Sequence, residues 1–411
     1  MRRIVGSFSL ASLATSLAPM DDAATLSFIL NHLGEERTLQ RGAVTPPIHA
    51  TSNFAFPSVA AMRAASQDEL GNAFYTRGNN PTVEILRRKL AALEGTEDAL
   101  VFGSGAAAMA AGVLALVRAG DHVVCVQKPY AWTRVLVRDW LPRFGVEVSF
   151  VDGGDLTAID AALRPHTRLI VLESPNSLTL ELQDLAAIAA LARSRGIRTL
   201  CDNSWASPLL QRPAEFGIDL VMHSVTKYLN GHSDVVAGAL CGSAELIRQV
   251  FAGPYMTFGA IIGPFEAWLV LRGMRTLQVR MQRVGVSSSR IVDFLAWHPK
   301  VARVYYPGSA QDPQRQLAQR QHHGGSGVFS FELRTADVAG VERFCDRLRR
   351  FLLAVSWGGH ESLVWPLAVT IRDGCAASNR TGLPWNLVRL SIGLEDPEEL
   401  IDDLRQALEA V

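Results

Sequence analysis

The feature that most constrains the fold is a regular alternation of short apolar runs with helical segments through the middle of the chain. The apolar runs have the length of strands and are Ala99–Phe102, His122–Val126, Val146–Val151, Arg168–Leu172, Arg198–Cys201, Leu220–Met222 and Val235–Cys241. One intervening segment, Leu185–Arg195, has helical spacing and ends before Gly196. Strands that alternate with helices predict a layered α/β domain with a largely parallel sheet. In such a sheet we expect catalytic groups at the carboxyl ends of the strands.

The chain after this region predicts a smaller second domain. Pro264 to Trp297 is a long helical stretch that would link two domains. The strands and helices expected after it are Gly327–Leu333, Leu387–Ile392, Val338–Phe351 and Pro397–Ala410. This mixture is typical of an α+β domain. We therefore expect an N-terminal arm over residues 1–60, a large domain over 61–265, and a linker helix with a C-terminal domain over 266–411.

Composition excludes several classes of function. The chain has 40 Lys and Arg and 40 Asp and Glu, so its formal net charge is zero and no global attraction to nucleic acid or an acidic membrane is expected. Charged residues make up only 19%, which suggests that like subunits cover part of the surface. The five cysteines are scattered without a CxxC pair, which favours reduced cytosolic thiols over disulfides or zinc. No motif with metal-ligand spacing occurs, so we expect no metal.

Two stretches resemble targeting or membrane segments in composition. Residues 1–19 carry two arginines and then an apolar run, as signal peptides do, but Gly6 and several serines interrupt the run. We interpret this stretch as a disordered leader or a start site placed too early. Ala99–Val117 is uncharged and long enough to span a bilayer, but it contains Gly103-Ser104-Gly105. We therefore expect a strand, a turn and a buried helix there, and a cytoplasmic protein.

Lys227 gives the strongest chemical signal. It follows the strand that ends at Met222, and the hydroxyls of Ser224 and Thr226 precede it. Most lysines are solvated surface residues, but the chain has only four lysines and this one lies in an apolar stretch. An amine with a variable pKa can form a Schiff base with a carbonyl group, and arginine cannot.

Three further features point to the same chemistry. Asp202 follows the strand Arg198–Cys201, where a carboxylate is costly unless it is paired. It could cap the next helix, or it could pair with the protonated pyridine nitrogen of pyridoxal phosphate. Gly103-Ser104-Gly105-Ala106 lies between a strand and a helix, where backbone N–H groups bind phosphate. Tyr130 follows another strand and could stack on a planar ring or pack in the core.

In combination these residues make the chain resemble the Cys/Met-metabolism family of pyridoxal-phosphate enzymes, the transsulfuration group of fold type I. The resemblance runs from about Thr45 to the C-terminus. Its landmarks are Tyr75-Thr76-Arg77, Gly103–Ala106, Glu173-Ser174-Pro175, Asp202-Asn203, Ser224–Tyr228, Gly231–Asp234, Ser356–Leu363 and Arg389–Asp396. The resemblance implies the PLP-dependent transferase fold, in which a mostly parallel seven-stranded sheet has helices on both faces. A smaller C-terminal α+β domain completes that fold.

The resemblance also implies roles for individual residues. Lys227 corresponds to the lysine that holds the cofactor and moves protons, and Tyr130 to the ring that stacks on the cofactor and assists proton transfer. Arg389 and Ser356 correspond to residues at the substrate α-carboxylate. The other implied cofactor contacts are Asp202 for the pyridine nitrogen, backbone groups of Gly105 and Ala106 with the hydroxyls of Ser224 and Thr226 for the phosphate, and Tyr75 and Arg77 for the phosphate of a neighbouring subunit. Shared sites imply a homodimer or homotetramer.

The branch of the family decides the reaction. Glu173–Thr179, Trp357 and the Gly231–Asp234 motif are most similar to bacterial cystathionine β-lyases. They favour β-elimination of cystathionine or a related cysteine thioether to pyruvate, ammonia and a thiol. The alternative is γ-replacement or γ-elimination on the same scaffold. A non-catalytic scaffold is a further alternative, and the joint presence of Lys227 and Asp202 argues against it.

Overall fold

Residues 25–371 and 374–411 are described by the structure, a computed structural model, and twelve strands within them form two sheets. The strands are β1 Asp98–Phe102, β2 His122–Val126, β3 Glu147–Val151, β4 Thr167–Glu173, β5 Arg198–Asp202, β6 Leu220–His223, β7 Gly238–Gly242, β8 Val301–Tyr305, β9 Val328–Leu333, β10 Leu352–Leu353, β11 Leu363–Pro366 and β12 Leu387–Ser391. The larger sheet has the order β1-β7-β6-β5-β4-β2-β3, and the smaller sheet has the order β10-β11-β12-β9-β8.

Most of the larger sheet is parallel, as the alternating pattern predicts. Strands β3, β2, β4, β5 and β6 run parallel, and β7 is antiparallel to its neighbours β6 and β1. Every residue of β2 is buried, because helices cover both faces of the sheet. The expected fold class is confirmed for the described residues.

The helices that cover the sheets and connect the strands have the following bounds: α1 Leu26–Asn31, α2 Val59–Ser66, α3 Pro81–Glu94, α4 Gly105–Leu116, α5 Ala131–Val135, α6 Leu156–Ala162, α7 Leu185–Ser194, α8 Ser207–Leu210, α9 Ala244–Val250, α10 Met256–Phe258, α11 Pro264–Met274, α12 Leu277–Ala296, α13 Arg315–Gln321, α14 Val338–Arg347 and α15 Pro397–Leu408. Helices α4 and α9 pack on one face of the larger sheet. Helices α3, α6 and α7 pack on the opposite face.

Local sequence explains the bounds of α3. The side chain of Asn80 accepts a hydrogen bond from the backbone N–H of Thr82, and Pro81 stands at the first helical position. Gly95 ends the helix in a left-handed conformation with φ of 76°. Its apolar side chains, among them Leu90, are completely buried against β1 and β7. This helix forms as its sequence predicts.

The linker is not one helix, as the sequence suggested, but two: α11 and α12. The break lies at Arg275 and Thr276. The carbonyl of Gly273 accepts hydrogen bonds from the Thr276 hydroxyl at 3.0 Å and from Arg280 Nη2 at 3.0 Å. These side-chain contacts replace the regular helical bonds and turn the chain.

Three of the five strands in the smaller sheet were absent from the sequence prediction. β10 has two residues, β11 ends at Pro366, and β8 at the sheet edge exposes the adjacent Ala302 and Arg303. Such short edge strands carry little apolar pattern. Strand β7, the first strand after Lys227, begins at Gly238 rather than at the predicted Val235. The residue before it, Ala237, uses its backbone groups to hydrogen-bond to the Thr226 hydroxyl instead.

The remaining predictions have mixed outcomes. Ala99–Val117 forms β1, a turn and α4, as expected. Within residues 25–371 and 374–411, no helix has both the length and the apolar character needed to cross a bilayer. The leader-like residues 1–19 lie outside the described residues. The described part of the arm packs on its own chain, because Glu35 forms a buried ion pair with Lys89 at 3.1 Å. The domain bounds and the role of the arm in a neighbouring subunit stay predictions.

Candidate active site

A cavity of about 810 Å³ opens where β2, β4, β5 and β6 end, at the boundary between the two sheets. The sequence-predicted residues that line it are Gly105, Ala106, Tyr130, Asp202, Ser224, Thr226, Lys227, Ser356 and Arg389. These residues come from positions up to 284 apart in the chain, and the fold brings them to one cavity. The carboxyl ends of the strands therefore form the site, as the topology predicts.

Lys227 points into this cavity after the turn that follows β6. Its Nζ contacts the hydroxyl of Ser356, and it lies 5.2 Å from the centre of the Trp357 ring. Burial, and secondarily the positive charge of Arg389, lowers the pKa of Lys227 to about 8, while Asp202 opposes the change. A large fraction of this amine is therefore neutral near pH 8.

Hydrogen bonds and close packing fix the backbone around Lys227. The side-chain hydroxyl of Tyr228 accepts a hydrogen bond from Ser326 Oγ at 2.8 Å, and the backbone carbonyl of Tyr228 accepts one from Arg280 Nη1 at 2.8 Å. Gly358, with φ of 86°, packs on the same backbone, and a Cβ there would lie 3.0 Å from the Tyr228 nitrogen. These contacts fix the backbone that carries the lysine side chain.

Asp202 is the last residue of β5 and is 8% exposed. Its Oδ1 accepts a hydrogen bond from the backbone N–H of Ser204 at 2.8 Å. Burial raises the pKa of Asp202, and the Ser204 donors, His223 and Lys227 oppose the rise. A buried carboxylate that lines a cavity suits a cationic partner, as a protonated pyridine nitrogen would be.

The N-terminus of α4 forms a cradle for an anion. Helix α4 begins at Gly105, and the hydroxyl of Ser104 caps the N–H of Ala107 at 3.1 Å. A Cβ on Gly105 would lie 3.0 Å from the Cβ of Ser224, so glycine permits the close approach of these segments. Backbone N–H groups at such a terminus, beside a serine hydroxyl, are the donor set that a phosphate needs. The cavity thus fits pyridoxal phosphate at both its ring and its phosphate.

The Thr226 hydroxyl has a different environment. It donates to the carbonyl of Ala237 at 3.1 Å and accepts from the N–H of the same residue at 2.9 Å. It therefore joins the Lys227 turn to the start of β7. Thr226 lines the cavity, but these two hydrogen bonds hold its hydroxyl to the protein.

Arg389 forms the opposite wall of the cavity from β12. It pairs in register with Trp365 of β11, and its guanidinium lies 5.4 Å from the centre of that ring. Its Nη2 donates to the carbonyl of Ser356 at 3.0 Å. Burial lowers the pKa of Arg389 to about 10, and the group stays charged at neutral pH. A fixed guanidinium of this kind suits a carboxylate.

Tyr130 precedes α5 and is 44% exposed. Its backbone N–H donates to Glu173 Oε2 at 2.6 Å. Burial, followed by the charges of Asp202 and Glu173, raises the pKa of Tyr130, so its phenol is neutral at physiological pH. The ring borders the cavity on the side of β2 and β4.

Tyr75 and Arg77 are absent from the cavity of their own chain. Both are exposed, and the Arg77 guanidinium lies 5.5 Å from the centre of the Tyr75 ring. The single chain does not bring this pair to Lys227.

Other lining residues had no assigned role in the sequence analysis. Among them are Glu173, Trp205, Trp357, Trp365, Thr381 and Leu383. Glu173 had the same signal as Asp202, because it is a carboxylate at a strand end. The tryptophans had no such signal, because long-range packing alone brings them to the cavity.

Comparisons with known proteins agree with this geometry. The family model described as "Cys/Met metabolism PLP-dependent enzyme" matches residues 28–409. L-methionine gamma-lyase of Pseudomonas putida is 38% identical over 92% of this chain and 96% of its own length. Cystathionine gamma-synthase of Mycobacterium bovis is 41% identical over 92% and 95%, and chloroplastic cystathionine gamma-synthase 1 of Arabidopsis thaliana is 36% identical over 100% and 73%. The chain therefore belongs to the Cys/Met-metabolism family of enzymes, whose cofactor is pyridoxal 5'-phosphate.

Proposed function

We propose that the protein catalyses elimination or replacement at the γ-carbon of an amino acid of the methionine or homoserine type. The similar curated proteins are named as a γ-lyase and γ-synthases, which favours this alternative over the β-lyase interpretation of the motifs. The proposal specifies the carbon at which the substituent is lost, and it covers both elimination and replacement by a thiol.

The observation that carries the proposal is the state of Lys227. A γ-reaction requires a base that takes a proton from Cα and then one from the adjacent Cβ. Lys227 has a buried amine with a lowered pKa on a flexible four-carbon stem, and its contacts at Nζ are the hydroxyl of Ser356 and the ring of Trp357. Such an amine can be neutral and can reach two neighbouring carbons.

Around that base we assign the cofactor contacts as follows. Bound pyridoxal phosphate supplies an electron-withdrawing ring that makes the Cα proton acidic. Asp202 would hold a proton on the ring nitrogen, and Tyr130 would lie against the ring. The phosphate contacts would be the N–H groups of Gly105 and Ala106 and the hydroxyl of Ser224, with Tyr75 and Arg77 from a neighbouring subunit. The hydroxyl of Thr226 would join them by turning its proton from the Ala237 carbonyl to the phosphate.

Substrate orientation follows from the opposite wall. Arg389 binds the α-carboxylate, and its bond to the Ser356 carbonyl fixes the guanidinium. The same serine places its hydroxyl at Lys227 Nζ. This residue thus couples the carboxylate clamp to the base. The neutral phenol of Tyr130 is a proton donor for the departing sulfur or oxygen.

β-Elimination is the second candidate, and a specific observation favours it. Gly358 of the Ser356–Gly359 motif packs directly on the backbone of Lys227 and Tyr228, and Trp357 of this motif is one of the three features that resemble the β-lyase branch. Ser356 and Trp357 also contact the Lys227 amine, so the motif lies where it can restrict the movement of the base. A base confined to Cα would perform β-elimination without γ-chemistry.

Product analysis tests the proposal. Purified, cofactor-loaded protein is incubated with L-methionine, with an O-acyl-L-homoserine with and without L-cysteine, and with L-cystathionine. We expect 2-oxobutanoate and ammonia, or a γ-substituted thioether when cysteine is present. Pyruvate with homocysteine from cystathionine, and no 2-oxobutanoate from any substrate, would contradict the proposal. A Lys227→Ala variant is the control and should form neither keto acid.

A further inference from the structure

The last residues of β4 and β5 place two carboxyl groups side by side at the cavity. Glu173 pairs in register with Asp202 across the parallel strands, and the two residues are 6% and 8% exposed. Two buried carboxyl groups at one sheet edge are costly unless each has a defined partner. The hydrogen-bond partners of each carboxyl group therefore indicate its role.

Glu173 has its own set of donors. Its Oε2 accepts from the backbone N–H of Tyr130 at 2.6 Å, and its Oε1 accepts from the hydroxyl of Ser177 at 2.6 Å. Asp202 instead accepts from the N–H of Ser204. Both carboxylate oxygens of Glu173 thus join loops that line the cavity. One of these loops carries the ring that borders the cofactor position.

We infer that Glu173 is a positioning residue, whose carboxylate fixes the backbone of Tyr130 and whose closeness to Asp202 couples the protonation of the two groups. The inference concerns cofactor orientation. It rests on the cofactor contacts assigned above but not on which carbon loses its substituent, so a β-lyase result would leave it unaffected.

The charged surroundings make this coupling specific. Besides Asp202, the titratable groups that interact with Glu173 are Cys125 from β2, Cys201 from β5 and Tyr130 from the loop before α5. Farther along its own loop, Glu181 is paired with Lys128 at 2.7 Å. Burial and then Asp202 raise the pKa of Glu173 to about 8, and the donors from Ser177 and Tyr130 oppose the rise. Glu173 therefore keeps its proton at acid pH and loses it near pH 8. No salt bridge to Glu173 occurs among the described side chains, so hydrogen bonds hold it.

Two substitutions separate the two parts of the inference. Glu173→Gln keeps the size but removes the proton that Glu173 loses near pH 8, so no negative charge should appear beside Asp202 on the alkaline side. Glu173→Asp keeps the titratable carboxyl group but is one methylene shorter, so it should lose its reach to the Tyr130 N–H. The matched control is Glu181→Gln, which removes a partly exposed carboxylate from the same loop.

The readout is the visible circular dichroism of the bound cofactor, recorded across pH on the loaded protein, together with kcat and KM. In the wild type we expect this signal to change near pH 8, where Glu173 loses its proton, and in Glu173→Gln we expect this change to disappear. For Glu173→Asp we expect a changed signal amplitude and a kcat lower by about 10-fold, with an alkaline change of the signal retained. Glu181→Gln should resemble the wild type in each respect.

Three results would overturn the inference. They are a change of the signal near pH 8 that persists in Glu173→Gln, an unchanged signal and kcat in Glu173→Asp, and equal effects from Glu181→Gln. If Glu173→Gln does not fold, Glu173→Asp alone decides the positioning part, because its charge and hydrogen-bonding chemistry remain. A loss of stability without a spectral change in that variant would mean a purely structural role.

Discussion

At the scale of single residues, the proposed chemistry depends on an amine that burial keeps partly neutral. An ordinary lysine has a pKa of 10.5, whereas burial lowers the pKa of Lys227 to about 8. Only the neutral amine attacks an aldehyde. The attachment of pyridoxal phosphate that we propose for Lys227 would therefore be controlled by the environment that the fold builds around one side chain.

This state of Lys227 predicts how cofactor loading depends on pH. When cofactor-free protein is mixed with pyridoxal phosphate, the rate constant of covalent loading should rise with pH and reach half its maximum near pH 8, since the neutral fraction rises through the pKa. Stopped-flow absorbance measures this rate. A midpoint near 10.5 would contradict the burial argument, and Lys227→Ala should show no covalent phase.

The guanidinium of Arg389 gives a second prediction at this scale. Arg389→Lys keeps the charge but loses the planar fork that is held to the Ser356 carbonyl, so kcat/KM should fall about 10- to 100-fold. Arg134 also lines the cavity, but it is exposed and lies 5.9 Å from the Phe150 ring. Steady-state kinetics of Arg134→Lys is the control, and an equal fall in both variants would count against a carboxylate clamp.

At the scale of helices and strands, the central sheet was predictable because its strands are buried on both faces. Continuous apolar runs such as His122–Val126 are visible without knowledge of neighbours, and α3 has caps at both ends. The short edge strand β10 and the break between α11 and α12 were not visible. They depend on contacts made by Arg280 and by strands distant in sequence.

The residues of the candidate site also fall into those that the sequence predicted and those that it did not. Lys227 and Asp202 were predictable because a chemically reactive or charged side chain directly follows an apolar strand. Trp357 and Trp365 were not, because an aromatic residue carries no sign of whether it packs in a core or borders a cavity. Glu173 shows that one signal can have two outcomes, since its hydrogen bonds rather than its position separate it from Asp202.

The start of α4 carries a prediction about cofactor retention. Gly105→Ala places a Cβ 3.0 Å from the Cβ of Ser224 and narrows the anion cradle, so the dissociation constant for pyridoxal phosphate should rise about 10-fold. Equilibrium dialysis of the variant measures it. Ala110→Gly, in the same helix but away from its N-terminus, tests for general loss of helix stability and should retain cofactor normally. Equal weakening in both would argue against a phosphate at this terminus.

At the scale of the whole molecule, the proposed site is incomplete in one chain. Tyr75 and Arg77 are exposed and absent from their own cavity, although the resemblance assigns them to a phosphate. A dimer in which each subunit supplies this pair to the other resolves the discrepancy. The low share of charged residues, 19%, suits a chain that covers part of its surface with a copy of itself.

Mixing two defective variants tests this arrangement. Arg77→Ala and Lys227→Ala are each expected to be nearly inactive, but a hybrid dimer would contain one intact site. Unfolding and refolding an equal mixture should therefore restore about a quarter of the wild-type activity, because half of the dimers are hybrids with one active site each. The separately refolded variants are the control. Activity no higher than theirs would mean that both residues act within one subunit.

The most direct test of the central claim, that Lys227 moves protons at two adjacent carbons, is proton NMR of L-norvaline incubated with the loaded protein in D₂O. This amino acid has no leaving group, so exchange reports proton transfer alone. We expect the Cα and Cβ signals both to disappear, and both to persist with Lys227→Ala. Exchange at Cα with an intact Cβ signal would contradict γ-chemistry and would leave β-elimination as the reaction that the site can perform.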